Sequence, residues 1–212
     1  MRPDKHAADG LRSLGLSTMS LGAIHSIYIA PAARSPMVSL ETAKLEAGLG
    51  IEGDRYHKEI GSFSRWPGEG RNISLIEQET IEAVLAETGI DLTAGQSRRN
   101  LVTRGVDLDS LNGKVFRIGT AILRGARHCT PCRYLDRLVG IAVHDALRRR
   151  GGLRAQVLAS GTITVGDSIE LATFLPDVPV RKIRRRIGQR SLLGASQKLT
   201  ELQAEVDRSS QH

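Results

Sequence analysis

At 212 residues the chain has room for one domain with appendages and for a sizeable hydrophobic core. Apolar residues at 40 % and charged residues at 25 % fit a globular protein, while aromatics at only 3 % leave the core to Val, Ile, Leu and Ala and count against stacking platforms for single-stranded nucleic acid. The balance of 30 Lys+Arg against 23 Asp+Glu, net +7, favours anionic partners such as nucleic acid, a membrane surface or a phosphorylated small molecule.

Two cysteines do not make a disulfide framework. No run reaches the ~18 consecutive apolar residues of a membrane span. The basic N-terminus lacks the apolar stretch of a secretory signal, so the expected location is cytoplasmic. Much of the positive excess is local, in Arg148 to Arg150 and in Arg181, Lys182, Arg184, Arg185 and Arg186, both of which read as solvated helix faces.

Residues 1–18 are polar and aperiodic and are expected to form a disordered extension. Residues 23–30 alternate like a strand, and residues 37–40 form a second short apolar run. The Gly-rich stretch 48–70 has no sustained period; a loop of that length inside a compact domain is usually functional. Ser74 followed by Glu77 predicts a capping box, with a helix carrying Ile76, Ile81, Val84 and Leu85 until Gly89. Asn112-Gly113 predicts a tight turn, and residues 114–118 and 121–127 two short strands. Pro131 is expected to open a helix over 132–138, with a second helical run at 141–150. Residues 153–158, 162–165 and 168–172 read as strands, the last two joined through Gly166-Asp167.

Many short strands with Gly turns and few helices predict a mainly β fold, a closed or nearly closed barrel flanked by helices. No regular βαβ alternation supports a doubly wound sheet. The expected organisation is the extension 1–18, a folded domain 19–176 and a basic helical tail 177–212.

Chemistry concentrates in His128-Cys-Thr-Pro-Cys132. A structural zinc needs four ligands, and no second cysteine pair exists to supply them. A Cys-x-x-Cys dithiol centre fits the spacing, yet its usual βαβ context is missing. A third reading is a single reactive thiolate at Cys132, its pKa lowered by helix-start amides and by Arg127 and Arg133; a fourth is two inert cysteines. Arg98-Arg99-Asn100 stands at the start of an apolar run, where arginine's planar fork suits phosphate or a flat polar heterocycle; an exposed solvated pair is the alternative. The glycines around Glu52 lack the strand–helix frame of a dinucleotide fingerprint, and His57 alone reads as structural or surface.

Taken in order, Gly50-Ile-Glu-Gly-Asp-Arg-Tyr-His57, Gly61-Ser-Phe-Ser64, Arg71-Asn-Ile-Ser-Leu-Ile-Glu77, Ser97-Arg-Arg-Asn100, Leu111-Asn-Gly113, Phe116-Arg-Ile-Gly119, Pro131-Cys132, Arg150-Gly-Gly152, Gly161 and Gly166-Asp167 resemble the MOSC domain family (molybdenum cofactor sulfurase C-terminal domain) over roughly residues 20–173. The resemblance implies a β-barrel-like fold that binds the molybdenum cofactor (molybdopterin) or carries sulfur for its completion. It implies that Cys132 ligates molybdenum or carries the sulfur, and that Arg98, Arg99 and Asn100 meet the phosphate and pterin. Arg55, His57 and Arg71 lie in motifs shared with the family and are the further candidates for cofactor contact. Cys129 is an extra thiol that leaves a two-cysteine mechanism open. Some relatives are fused to a pyridoxal-phosphate sulfurase domain, for which 212 residues leave no room, so pyridoxal chemistry is expected from a separate partner.

Three functions follow as expectations. The leading one is a cofactor-binding oxidoreductase component, for which the resemblance to reductase relatives implies reduction of N-hydroxylated compounds, fed by a separate electron donor because no ferredoxin-like cysteine spacing is present. The second is a sulfurtransferase in which Cys132 takes a persulfide from a cysteine desulfurase. The third is an anion- or nucleic-acid-binding module using the basic tail, with nucleic acid disfavoured by the scarcity of aromatics and no membrane partner expected.

Overall fold

The computed structural model describes residues 20–64 and 70–172. Within them the apolar alternation produces eleven strands: β1 (Ser20–Ile29), β2 (Val38–Leu40), β3 (Thr42–Glu46), β4 (Gly50–Ile51), β5 (Ile73–Glu77), β6 (Leu101–Arg104), β7 (Val115–Ile118), β8 (Ala121–His128), β9 (Leu153–Ala159), β10 (Gly161–Thr164) and β11 (Ser168–Leu171). Two α-helices accompany them, α1 (Gln78–Thr88) and α2 (Arg133–Val139). No helix among the described residues is long and apolar enough to cross a membrane.

Seven strands close into a barrel in the order β11-β7-β8-β9-β5-β6-β1, and β1 pairs back onto β11. Strand β2 extends the sheet beyond β1, and β10-β3-β4 form a separate small sheet. Closure leaves the barrel strands without a free edge. Neighbours in the barrel are antiparallel except β5 and β6, which run parallel in the register Leu75↔Leu101. A parallel pair needs a crossover, and the segment containing α1 supplies it.

Side chains of alternate residues separate two cores. Ile73 and Leu75 of β5, Leu101 of β6, and Leu153, Ala155 and Val157 of β9 fill the barrel, joined by Ala43, Leu45, Ile51 and Ile163 from the small sheet. Ile76 and Val102, one position along, face outward instead and pack with Ile81 and Val84 of α1, Leu135 of α2, Val143 and Leu147. The outer wall of β5 and β6 is therefore a second, smaller core, and the site lies at its margin.

The barrel agrees with the expectation from the sequence, but several local elements differ. Ser74 caps no helix. It belongs to β5, and α1 begins after Glu77 with no side-chain cap. Its hydroxyl instead bonds the Asn100 amide, a partner distant in sequence. The C-terminus of α1 is as predicted, with Gly89 left-handed at φ 70°. The expected helix over 132–138 starts at Arg133, and Cys132 is its extended N-cap residue. Residues 141–150 form turns rather than a helix, because the Asp136 carboxylate takes the backbone N–H groups of Val143 (2.9 Å) and His144 (2.8 Å). The Gly-rich stretch contains the short β4, and β3 precedes it. The extension 1–18 and the tail 177–212 lie outside the described residues.

Candidate functional site

A cleft opens on the outer wall of the barrel where β5 and β9 meet the segments just before β6 and just after β8, the loop after β4 and helix α2. Its lining includes Arg55, Arg71, Arg98, Arg99, Cys129 and Cys132, so six of the eight residues singled out from the sequence converge there. The cleft is open: its free space of about 690 Å³ includes bulk solvent.

The strands set this arrangement. Gly152 has φ 90°, and a Cβ there would lie 1.9 Å from the Leu75 carbonyl oxygen, so only glycine lets β9 begin this close to β5. In the resulting register Arg154 stands directly opposite Ser74, and both point away from the barrel core. The Gly152 carbonyl also accepts the Cys129 N–H at 2.6 Å, tying the cysteine segment to the same strand start.

The two cysteines occupy different environments. Cys129 is buried, 2 % exposed, whereas the Cys132 thiol is exposed at the cleft. Two inert buried cysteines are thus not what the fold provides. Among the described residues no group of three or more His, Cys, Asp or Glu could hold a metal ion, so a closed structural zinc site is absent there.

One end of the cleft is organised by a residue absent from the sequence-based candidates, Asp54. Its carboxylate is fully buried and accepts hydrogen bonds from the backbone of Ala30 (3.0 Å) and Tyr56 (2.9 Å), from Arg55 (3.1 Å) and from the Asn100 amide (3.3 Å). Four donors on one carboxylate satisfy a buried charge that would otherwise be costly. Asn100 is itself buried: its carbonyl oxygen accepts the Ser74 N–H and hydroxyl, and its amide reaches the Tyr28 carbonyl and Asp54. Asn100 thus fixes β1, β5 and the Asp54 loop together and lies behind the cleft wall.

The arginines are not an exposed pair. Arg99 is 7 % exposed and donates to the carbonyls of Gly151 (2.9 Å) and Ser97 (3.1 Å), with no ion-pair partner among the described residues. Arg98 sits at φ 62°, a left-handed conformation rare for a side chain of its size, and donates to the Ser35 carbonyl. Burial, and then the neighbouring Arg55 guanidinium, push the Arg98 pKa below its ordinary value. Across the cleft the Tyr134 hydroxyl bonds Ser62 at 3.0 Å. That bond, reinforced by Arg34 and Arg98 against the opposing effect of burial, lowers the phenol's pKa.

His57 is not part of the lining; its Nε2 lies 3.2 Å from the Glu46 carboxylate on β3. Arg34, Tyr134 and Arg154 line the cleft but were not singled out from the sequence. Asp54 and Tyr56 stand inside the Gly-Asp-Arg-Tyr run, which is a signal; a single Arg in a strand, such as Arg154, is none. Among the described residues six arginines and no carboxylate line the cleft, which gives that lining a positive charge.

No curated protein matches the chain. Solved structures similar to it include the YuaD protein of Bacillus subtilis, with TM-score 0.59 at 20 % identity over 70 % of this chain and 94 % of that one. YiiM of Escherichia coli gives 0.54 at 20 % identity over 76 % and 74 %, and YiiM of Geobacillus stearothermophilus 0.53 at 19 % over 71 % and 75 %. At such identities these structures speak for the fold. The MOSC domain model matches residues 64–170, half of the chain and most of the barrel with its cysteine segment, and the chain belongs to the MOSC domain family.

Proposed function

We propose that the cleft binds the anionic pterin of the molybdenum cofactor and that the protein is the cofactor-bearing component of an oxidoreductase. The observation that carries this reading is the exposed Cys132 thiol in a cleft lined, among the described residues, by six arginines and no carboxylate. A buried guanidinium without a carboxylate, as at Arg99, is stabilised by an anionic ligand. With no multi-residue metal cluster among the described residues, a metal here takes one thiolate from Cys132 and its other ligands from its own organic group. The donor set therefore fits the cofactor.

In this reading Arg55 and Arg98, with Arg99 behind them, hold the phosphate. Asp54 keeps Arg55 and, through Asn100, the strand ends in place. The chemistry the bound cofactor supplies is two-electron redox at its metal, applied to N-hydroxylated compounds with electrons from a separate protein. The Tyr134 hydroxyl, its pKa lowered, is the side chain of the cleft placed to hold or release a proton beside a bound compound.

The test is molybdenum content of protein purified from a host that makes the cofactor. Wild-type protein is expected to retain molybdenum, Cys132→Ser to lose it, and Cys129→Ser, whose thiol is buried, to lose only part. Normal loading in Cys132→Ser overturns the reading. The exposure of Cys132 also favours a second reading, a persulfide carrier, since a desulfurase must reach the sulfur directly. A mass increase of one sulfur on Cys132, trapped after incubation with a cysteine desulfurase, distinguishes it.

A further inference from the structure

The arginines of the cleft fall into two groups with different surroundings. Arg55 and Arg98 influence one another electrostatically and share the buried Asp54. Neither Arg71 nor Arg154 is among the groups that bond that carboxylate. Gly70, at φ 67°, brings the chain against β8 and β9: a Cβ on it would come within 2.6 Å of the Ala126 Cβ and 3.1 Å of the Arg154 Cβ. Arg71 therefore leaves the backbone beside Arg154. On the next strand Arg127 pairs directly with Arg154 in the antiparallel register, a like-charge juxtaposition that is ordinarily destabilising. Burial, then Arg154 and Arg71, depress the Arg127 pKa, which records how close the three charges lie.

Neither Arg71 nor Arg154 has an ion pair or hydrogen-bond acceptor among the described residues, and the Arg71 Nε is buried with no partner at all. A buried guanidinium N–H without an acceptor costs free energy that a bound oxyanion returns. Both residues line the same cleft as Cys132, with Cys129 close enough to act on Arg127.

We propose that Arg71 and Arg154 form a second oxyanion subsite, separate from the cofactor phosphate, that takes the carboxylate or phosphate group of the compound brought to Cys132. The substrate is accordingly an anionic small molecule. The division of labour rests on the reading given above, in which Arg55 and Arg98 hold the cofactor phosphate; the existence of the subsite does not.

The test compares alkylation of Cys132 by iodoacetate, an anion, and by neutral iodoacetamide, in the full chain from a host without the cofactor, followed by peptide mass spectrometry. Both reagents need the same thiolate, so their rate ratio isolates attraction for the anion. Arg71→Gln and Arg154→Gln are each expected to lower the ratio roughly threefold, the size of one partly screened charge. Arg154→Lys should keep most of it, and Arg104→Gln, whose partner is Glu82 away from the cleft, should leave it unchanged. Gly70→Ala should lower it with no change in net charge. Inorganic phosphate should slow iodoacetate in the wild type more than in Arg154→Gln. An unchanged ratio in both glutamine variants overturns the proposal.

Molybdenum content separates the two arginine groups. In protein from a cofactor-making host, Arg98→Gln should lose metal while Arg71→Gln and Arg154→Gln keep it. Equal loss in all three places every arginine on the cofactor and overturns the second subsite. Should the wild type itself hold no molybdenum, the cofactor reading fails while the alkylation ratio still decides the subsite.

Discussion

The two faces of strands β5 and β9 carry opposite chemistry within a single residue step. Ile73, Leu75, Leu153 and Ala155 face the barrel and are fully buried, while Ser74 and Arg154, between them in sequence, face the cleft. The interior selects for shape and volume, and the outer wall carries Arg154, which has no ion-pair partner among the described residues. Stability and function are thus separable by parity along the strand. Leu75→Ala, inside, should cost about 3 kcal/mol of unfolding free energy from lost burial and the cavity left behind. Arg154→Gln, on the opposite face of the adjacent strand, should change stability by less than about 1 kcal/mol. Urea unfolding of both variants makes the comparison, and equal losses would break it.

Asp54 belongs to neither face cleanly, which makes it the sharper probe. It is as buried as Leu75 yet serves the cleft through Arg55 and Asn100. Asp54→Asn keeps the size and one acceptor oxygen but removes the charge opposite Arg55. A loss of about 2 kcal/mol is expected, typical of hydrogen bonds to a charged group, together with reduced molybdenum retention. A variant that loses stability but retains metal as well as the wild type would confine Asp54 to the scaffold.

How far the sequence reaches follows the same division. The barrel strands β1, β7, β8, β9 and β11 are legible because period-2 alternation and Gly turns are local signals. Strand β3 is not legible although Ala43 and Leu45 alternate correctly: its neighbour β4 is only two residues long, and its longer pairing is with β10, more than a hundred residues away. The Ser74–Glu77 pattern imitates a helix cap because a capping box is a local motif, while the pairing of Ser74 with Arg154 and Asn100 is not. In the site, cysteines and the Arg-Arg-Asn run announce themselves by type and spacing. Their roles do not: Asn100 and much of Arg99 turn out to be buried and bonded to backbone, and His57 pairs with Glu46. Arg154 reads as any solvent-facing strand residue until the register sets it beside Arg71 and Ser74.

The smallest expected effect concerns Tyr134, on the far side of the cleft from β9. Its hydrogen bond with Ser62, then Arg34 and Arg98, hold the phenol below its ordinary value near 10.0, while burial opposes them. The folded state therefore releases this proton before the unfolded chain does. With fewer protons bound in the native state, stability rises with pH from the lowered value up to the ordinary one, and at neutral pH the group contributes nothing. Ser62→Ala removes the principal cause and should move the phenol's titration upward without altering unfolding at neutral pH. Tyr134→Phe identifies which phase of the ultraviolet titration belongs to it, since the chain has three tyrosines. An unmoved phase in Ser62→Ala would mean that the arginines alone set the phenol's acidity, and Arg98→Gln should then move it further than Ser62→Ala does.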